Sequence, residues 1–283
     1  MSNLNCEALL VVAQTNLHAG SGSAEYGVID NLVQRDVIST LPTVNASSMK
    51  GAFREFFKAK LKNGFVTTIF GPEYGGDDDD EGSGRSMGTH AFFDAQMLTM
   101  PIRSNVKPFF NATTPEILQA FIDRLDIFSH PKAATYKTLL APLSAIKPTE
   151  GTPSVFLTGD DIQLEDLAAK SNELDIKPFK NLLGNDIAIL HENDFKRLCN
   201  NENLPVIARN HLENGVSQNL WYEQIVPRQS RFFSLVLNPN DKTEFTKEFP
   251  SYEDAQGKKQ KGTVVQIGAN ATVGYGYCEI SKL

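Results

Sequence analysis

Residues 47–62, SSMKGAFREFFKAKLK, carry the helical pattern that decides the fold class. Their apolar side chains recur at helical spacing and form one stripe, at Met49, Ala52, Phe53, Phe56, Phe57 and Leu61. Such a stripe is typical of an amphipathic helix that packs one face against a core. Serine is a common N-cap residue, so the pattern predicts a helix over 47–62 with Ser47 as its N-cap.

The opposite face of this predicted helix is basic. Lysine or arginine recurs at every fourth position, at Lys50, Arg54, Lys58 and Lys62. On a helix with 3.6 residues per turn, these residues form a slowly winding ridge that begins in the first turns. Cationic side chains beside free main-chain amides and the hydroxyls of Ser47 and Ser48 are suited to binding an anion. The alternative is that Ser47 only caps and the ridge only faces solvent.

Strand patterns surround this helix without a regular alternation of strand and helix. The short apolar run 6–14 predicts a buried strand, and the alternating segment 275–280 predicts a strand that closes the chain. Further strands are predicted near 90–95, 154–158, 186–190, 204–209, 231–237 and 263–267. Helices are predicted at 115–126 and 192–200, and an irregular segment at 130–155. The predicted fold class is therefore α+β.

Composition and charge leave several classes of partner open. The chain has 283 residues, of which 41% are hydrophobic and 22% charged, as in an ordinary globular protein. The net charge is −7, but six acids lie within 73–81, and the other residues sum to only −1. Residues 31–62 carry a local charge of +4. Because a local patch decides what binds there, the acidic average does not exclude an anionic ligand.

Several familiar kinds of site have no support in the sequence. Three widely spaced cysteines, Cys6, Cys199 and Cys278, predict neither a disulfide framework nor a CxxC metal pair. Phosphate-loop, HExxH and GxSxG motifs are missing, and the acids at 77–80 lack the spacing of a calcium loop. Apolar runs are too short to span a bilayer, and no secretion signal is present. We therefore expect a cytoplasmic protein.

Two segments are rich in glycine. Glycine either lets the backbone approach a ligand closely or forms a tight turn, and the sequence is consistent with both. Residues 18–23, HAGSGS, have the composition of a loop, and residues 268–276 read GANATVGYG. Judged from the residues alone, the nearby Asp30 is a turn or capping residue and His18 a hydrogen-bonded loop histidine more often than either is catalytic.

Short motifs occur in a specific order along nearly the whole chain. They are HAGSG at 18–22, GVIDNLVQRD at 27–36, SSMKGAFR at 47–54, FGP at 70–72, FDAQML at 93–98, PIRS at 101–104, LWYEQIVP at 220–227 and TVGYG at 272–276. In this order they resemble the backbone subunits of the Cmr (type III-B) CRISPR effector complexes, a family within the RAMP superfamily. Asn45-Ala46 and the alanines Ala269 and Ala271 depart from that family's usual residues.

The resemblance implies a single RAMP-type domain over 1–283, with an RRM-like (ferredoxin-like) core and large insertions. One insertion is the acidic loop at about 73–88, and another is a protruding β-hairpin thumb at about 196–222. Copies of such a subunit assemble head to tail along a CRISPR guide RNA, with complementary target RNA and other Cmr subunits as further partners. A membrane partner is not expected.

The resemblance also implies roles for individual residues. Guide RNA would lie against Lys50, Arg54 and Lys58, with further contacts from Ser47, Ser48, Gly268, Asn270, Thr272 and Gly274. Asp30 matches the aspartate that the family needs to cut paired target RNA in a metal-dependent reaction. It would either hold Mg²⁺ or accept the proton of an attacking 2′-hydroxyl. His18 and Glu223 are weaker candidates for positioning or proton transfer, and a structural role is the alternative for each.

Two other functions remain open at this point. The chain would be a scaffold that binds guide RNA without cutting, or an endonuclease that processes guide precursors with His18 as a metal-free base. Cleavage of complementary RNA in magnesium distinguishes the first alternative, and cutting of repeat RNA in chelator by the free chain distinguishes the second.

Overall fold

The computed structural model describes residues 4–24, 28–60, 63–72, 87–239, 244–251 and 260–283. The strands are β1 Leu4–Ala13, β2 Gly20–Ala24, β3 Asn31–Val33, β4 Thr43–Val44, β5 Ala91–Phe92, β6 Ala95–Ile102, β7 Phe110–Thr113, β8 Ser154–Val155, β9 Gln163–Leu164, β10 Leu167–Ala168, β11 Lys170–Ser171, β12 Ile187–Ile189, β13 Val206–Glu213, β14 Val216–Gln224, β15 Arg231–Pro239, β16 Thr263–Gln266 and β17 Tyr277–Lys282. The α-helices are α1 Ala46–Lys58, α2 Asn63–Phe70, α3 Pro115–Ile127, α4 Ala133–Ser144, α5 Lys180–Leu183, α6 Glu192–Leu198 and α7 Glu244–Lys247. The predicted α+β class is confirmed.

Four neighbouring strands form the centre of the large sheet, in the order β17–β1–β15–β6. Each is antiparallel to the next. Helix α1 lies between β1 and β6 in the chain, and α7 lies between β15 and β17. The order of these four strands and the helices that connect them are those of a split β-α-β arrangement. Residues 8–13 of β1 are buried between β15 and β17, which accounts for the uninterrupted apolar run in the sequence.

Aromatic side chains fix α1 to the rest of the core. Met49, Phe53 and Phe57 are buried on its inner face. The ring of Phe53 lies 5.3 Å from that of Phe245 and 5.5 Å from that of Phe249, both edge to face. Such aromatic pairs add to the free energy gained from burial alone. The outward face of α1 is therefore presented in a fixed orientation.

The predicted start and end of this helix are wrong. Helix α1 begins at Ala46 and ends at Lys58, and the N-cap position belongs to Asn45 rather than Ser47. The Asn45 side chain makes no hydrogen bond that caps the helix. Instead, the Asp94 carboxylate accepts a hydrogen bond of 2.6 Å from Ala46 N. A residue distant in sequence thus supplies the cap.

Two further predictions need correction. The segment 130–155 is not irregular throughout, because α4 lies within it and buries Leu140 and Leu143. Its Tyr136 packs edge to face on Phe121 of α3, 5.3 Å between ring centres. The glycine-rich segment 18–23 is not only loop, because β2 begins at Gly20 and pairs with β3. The acids at 77–81 lie outside the described residues, as does most of the predicted acidic loop at 73–88.

Strands β13 and β14 form an exposed antiparallel hairpin over residues 206–224, here called the hairpin. Asn214 and Gly215 at its tip both have positive φ, 53° and 82°, as a tight hairpin turn requires. The large apolar side chains of Leu212, Val216 and Leu220 are exposed. The predicted thumb at about 196–222 overlaps this hairpin, but its first residues belong to α6, which ends at Leu198.

Candidate functional site

The main chain at the base of the hairpin holds Asp30. Its amide donates a hydrogen bond of 3.1 Å to Tyr222 O, and its Oδ2 accepts one of 2.7 Å from Tyr222 N. The next residue, Asn31, pairs with Glu223 in parallel register. Asp30 itself is exposed. The structure therefore fixes an accessible carboxylate beside β14.

His18 is buried and contacts β14 two residues beyond Tyr222. Its Nδ1 is 2.6 Å from the main-chain oxygen of Gln224. A carbonyl can only accept a hydrogen bond, so the proton of the neutral ring is on Nδ1. A Cβ at Gly20 would lie only 3.2 Å from His18 Nε2, so the backbone at Gly20 packs closely on the imidazole ring. This geometry gives His18 a structural task, which is to join the 16–20 segment to β14.

Glu223 is almost fully buried, and three side chains donate to its carboxylate. Trp221 Nε1 donates to Oε1 at 2.9 Å, Arg209 Nε donates to Oε2 at 2.5 Å, and Asn270 Nδ2 donates to Oε2 at 2.8 Å. Burial raises the pKa of Glu223, but the hydrogen bonds from Trp221 and Arg209 and the charge of Arg209 outweigh it and lower that pKa. Glu223 is therefore an ionised anchor, a poor donor or acceptor of protons near neutral pH.

The glycine-rich segment 268–276, here called the glycine loop, packs on the same site. Ala269 N donates to His18 O at 2.9 Å. Gly268 has a φ of +82°, and a Cβ there would collide with the His18 carbonyl. Asn270 also has a left-handed φ of 67° while its side chain reaches Glu223. Thr272 and Gly274 face solvent, so the loop offers exposed polar and main-chain groups beside the hairpin.

The first turn of α1 is joined to this site by Gln34. Gln34 Nε2 donates to Gly20 O at 3.0 Å and to Ser48 Oγ at 2.9 Å. Its Oε1 accepts from Asn45 N at 2.7 Å. Ser47 is exposed, whereas Ser48 is partly buried by this contact. The structure thus brings the predicted serines close to the segment that contains His18.

The predicted basic ridge is only partly available to a ligand. Arg54 Nη2 donates to Phe70 O at 2.8 Å, and its guanidinium lies 5.7 Å from the Phe70 ring centre. It therefore interacts with the carboxyl end of α2, where a cation is stabilising. Lys58 pairs with Glu55 at 2.8 Å, and Lys50 is half-buried in the second turn of α1. Lys62 lies outside the described residues.

The described residues contain no group of three or more histidines, cysteines or acids that could hold a metal ion. Asp30 supplies one carboxylate, of which Oδ2 already accepts a hydrogen bond from Tyr222. Magnesium is often held by one or two carboxylates together with substrate phosphates and water. The donor set fits an ion shared with a bound phosphate, and it does not fit an ion held by protein groups alone.

Sequence reasoning missed Arg209 and Gln34, although both bind the predicted site residues. Arg209 is the only arginine or lysine within 206–224, and it lies opposite Trp221 because the register of the hairpin shifts by one residue between His211 and Leu212. An Asn-Gly pair between two strand patterns is a hairpin signal. Counting from this turn places Leu220 opposite Arg209, however, so the turn predicts the hairpin but not this pairing. Gln34 carries no comparable signal, because an isolated glutamine in a loop has no preferred role.

The chain matches the family model described as the RAMP superfamily over residues 11–279. It is 26% identical to the CRISPR system Cmr endoribonuclease Cmr4 of Pyrococcus furiosus, over 94% of this chain and 92% of that protein. It is 24% identical to the CRISPR system CMR subunit Cmr4 of Saccharolobus solfataricus, over 96% of this chain and 95% of that protein.

Solved structures share the fold. A chain of a type III-B Cmr-beta complex bound to cognate target RNA superposes with a TM-score of 0.72 at 22% identity, covering 98% of this chain and 96% of that chain. A chain of oligomeric Cmr4 from Pyrococcus furiosus superposes with a TM-score of 0.67 at 19% identity, covering 98% of both chains. Within the described ranges, every helix is too short or too polar to cross a membrane.

Proposed function

This chain belongs to the RAMP superfamily, and on that premise we propose that it is a backbone subunit of a type III-B CRISPR effector complex. In this proposal it binds guide RNA and cleaves the paired target RNA. Full-length similarity to a relative named as a Cmr endoribonuclease supports it. The structural observation that carries it is the exposed Asp30 carboxylate, which β14 holds at the base of the hairpin.

The guide RNA follows the exposed face formed by the start of α1 and the glycine loop. Ser47 offers a hydroxyl group, Lys50 a charge, and Thr272 and Gly274 offer exposed polar and main-chain groups. These groups recognise a sugar-phosphate backbone rather than base edges. Sequence recognition is then left to base pairing between guide and target.

Cleavage proceeds by attack of a target 2′-hydroxyl on the adjacent phosphorus. The O2′–P bond forms, the P–O5′ bond breaks, the 2′-proton leaves to a base, and the 5′-oxygen takes up a proton. Asp30 either accepts the 2′-proton or would hold Mg²⁺. When bound, Mg²⁺ would neutralise the negative charge that develops on the phosphate.

Neighbouring copies in the complex meet through two different surfaces. Head-to-tail contacts that do not close produce a helical filament, so the same site recurs at a constant interval along the RNA. The hairpin of each copy carries exposed Leu212, Val216 and Leu220, which suit insertion between stacked bases. Displacing a base there frees the backbone to reach the in-line geometry that attack by the 2′-hydroxyl needs.

Asp30→Asn in the assembled complex tests the proposal. We expect assembly and target binding to persist, while cleavage at the regular sites falls by about 10²-fold or more. The control is Asp123→Asn, which alters an exposed acid on α3 and leaves cleavage unchanged. Chelation of divalent metal has the same effect as Asp30→Asn.

The outcomes also separate the alternatives. Unchanged cutting by the Asp30→Asn complex would show that Asp30 is not the catalytic group. Intact target RNA after incubation of the wild-type complex in magnesium would identify a scaffold. Cutting of repeat RNA by the free chain in chelator would identify a guide-processing enzyme.

A further inference from the structure

We propose that Arg209 is a positioning residue for target cleavage, a role that rests on the proposed function. Its side chain extends from β13 to β14 and to the glycine loop. Nε donates to Glu223 Oε2, and the guanidinium carbon lies 4.7 Å from the ring centre of Tyr275. In the β13–β14 pairing, Arg209 is directly opposite Trp221.

Three consecutive residues of β14 hold the three parts of the site. Tyr222 holds Asp30, Glu223 holds Asn270 as well as Arg209, and Gln224 holds His18. A small rotation of β14 about its own axis therefore displaces the Asp30 carboxylate relative to the glycine loop. Displacement of a reacting group by about 1 Å can cost 10²-fold in rate.

Arg209 resists this rotation, because it links Glu223 to Tyr275 of the glycine loop and so adds to the bond from Asn270. Its side chain is only 16% exposed, and that of Glu223 is only 8% exposed, so both contacts are shielded from water. A planar guanidinium fixes direction as well as charge, since it bonds a carboxylate along its edge and stacks on an aromatic face. A point charge at the same place would neutralise Glu223 without setting the angle of the hairpin.

The charge and the orientation can be separated by mutation. Arg209→Met alone leaves a buried carboxylate without its cation, which destabilises a protein whatever else the arginine does. The double variant Arg209→Met/Glu223→Gln removes both charges. Arg209→Lys keeps the charge but removes the planar edge and the stacking on Tyr275.

The experiment measures steady-state cleavage of target RNA, kcat and KM separately, in complexes reconstituted with guide RNA. For the double variant we expect the melting temperature to recover most of what Arg209→Met loses, kcat to fall about 10- to 100-fold, and KM to stay within about threefold. Arg209→Lys should assemble normally and also lose kcat. The control is Arg103→Met, whose arginine makes an exposed bidentate pair with Glu165 on another surface.

A wild-type kcat in the double variant would show that Arg209 serves only as a counter-charge, and would overturn the proposal. If the double variant does not assemble, Arg209→Lys decides, because a wild-type kcat there would also overturn it. Failure of the proposed function has a different signature, namely no cleavage by the wild type or full cleavage by Asp30→Asn. Cleavage that needs Asp30 but tolerates both Arg209 changes refutes this inference alone.

Discussion

Replacing Glu223 by glutamine removes one negative charge from the site with almost no change in shape. The amide has only one acceptor oxygen, so it cannot accept from Trp221, Arg209 and Asn270 as the carboxylate does. Arg209 is left as a largely buried cation without its partner. Breaking a buried ion pair costs about 3–5 kcal/mol, and the slight exposure of Arg209 reduces this to about 2–4 kcal/mol at pH 7.

The pH dependence of this loss follows from the pKa of Glu223, which is lower in the folded chain than its usual value of 4.5. A carboxyl group whose pKa is lowered by folding contributes stability above its unfolded pKa. That contribution disappears as the pH falls through the folded pKa. The difference between wild type and Glu223→Gln should therefore be constant from pH 7 to about pH 5 and shrink below about pH 4.5.

Trp221 is the only tryptophan in the chain and donates to Glu223, so its fluorescence reports on this site directly. The free energy of unfolding is measured from urea titrations of Trp221 fluorescence between pH 4 and pH 7. Glu213→Gln is the matched control, since Glu213 lies exposed near the hairpin tip and should change stability by less than about 0.5 kcal/mol. Equal stability of Glu223→Gln and wild type at pH 7 would refute the assignment of Glu223 as an ionised anchor.

Two more predictions concern the glycine loop and the basic ridge. Gly274→Ala should cost about 1–2 kcal/mol for its left-handed φ alone, whereas Gly268→Ala should cost more, because its Cβ also collides with the His18 carbonyl. Thermal unfolding compares the two variants, and equal melting temperatures would contradict the clash. Lys50→Glu should weaken guide-RNA retention and flatten its salt dependence without lowering the melting temperature. Arg54→Glu should lower both guide-RNA retention and the melting temperature, because it also breaks the hydrogen bond to Phe70 O. Unchanged retention of guide RNA by Lys50→Glu would mean that Lys50 only faces solvent.

The sequence predicted the elements whose apolar residues form a clear stripe or an uninterrupted run. The stripe of α1 and the apolar run of β1 were readable, because one face or both faces of these elements pack against the core. The N-cap of α1 was not, since its acceptor is Asp94, 48 residues further along the chain. Helix α4 was hidden by Pro142 and by the proline, threonine, serine and lysine residues of the surrounding segment, although Leu140 and Leu143 are buried. Tertiary contacts override local composition in these cases.

The sequence provided candidate residues for the site but not their arrangement. Asp30, His18 and Glu223 were chosen from separate motifs, and only the pairing of β14 brings them together. Those contacts join residues that are about 190 to 210 positions apart, which local patterns do not encode. The same pairing assigns Glu223 an anchoring task and leaves Asp30 as the exposed acid.

The bond that orients Asp30 comes from the amide of position 222, and every amino acid except proline carries that group. The tyrosine side chain at this position is 37% exposed and has no part in the bond. Replacement of Tyr222 by any residue other than proline should therefore leave this bond in place. The orientation of the Asp30 carboxylate then depends on the course of the β14 backbone and not on the identity of any one side chain there.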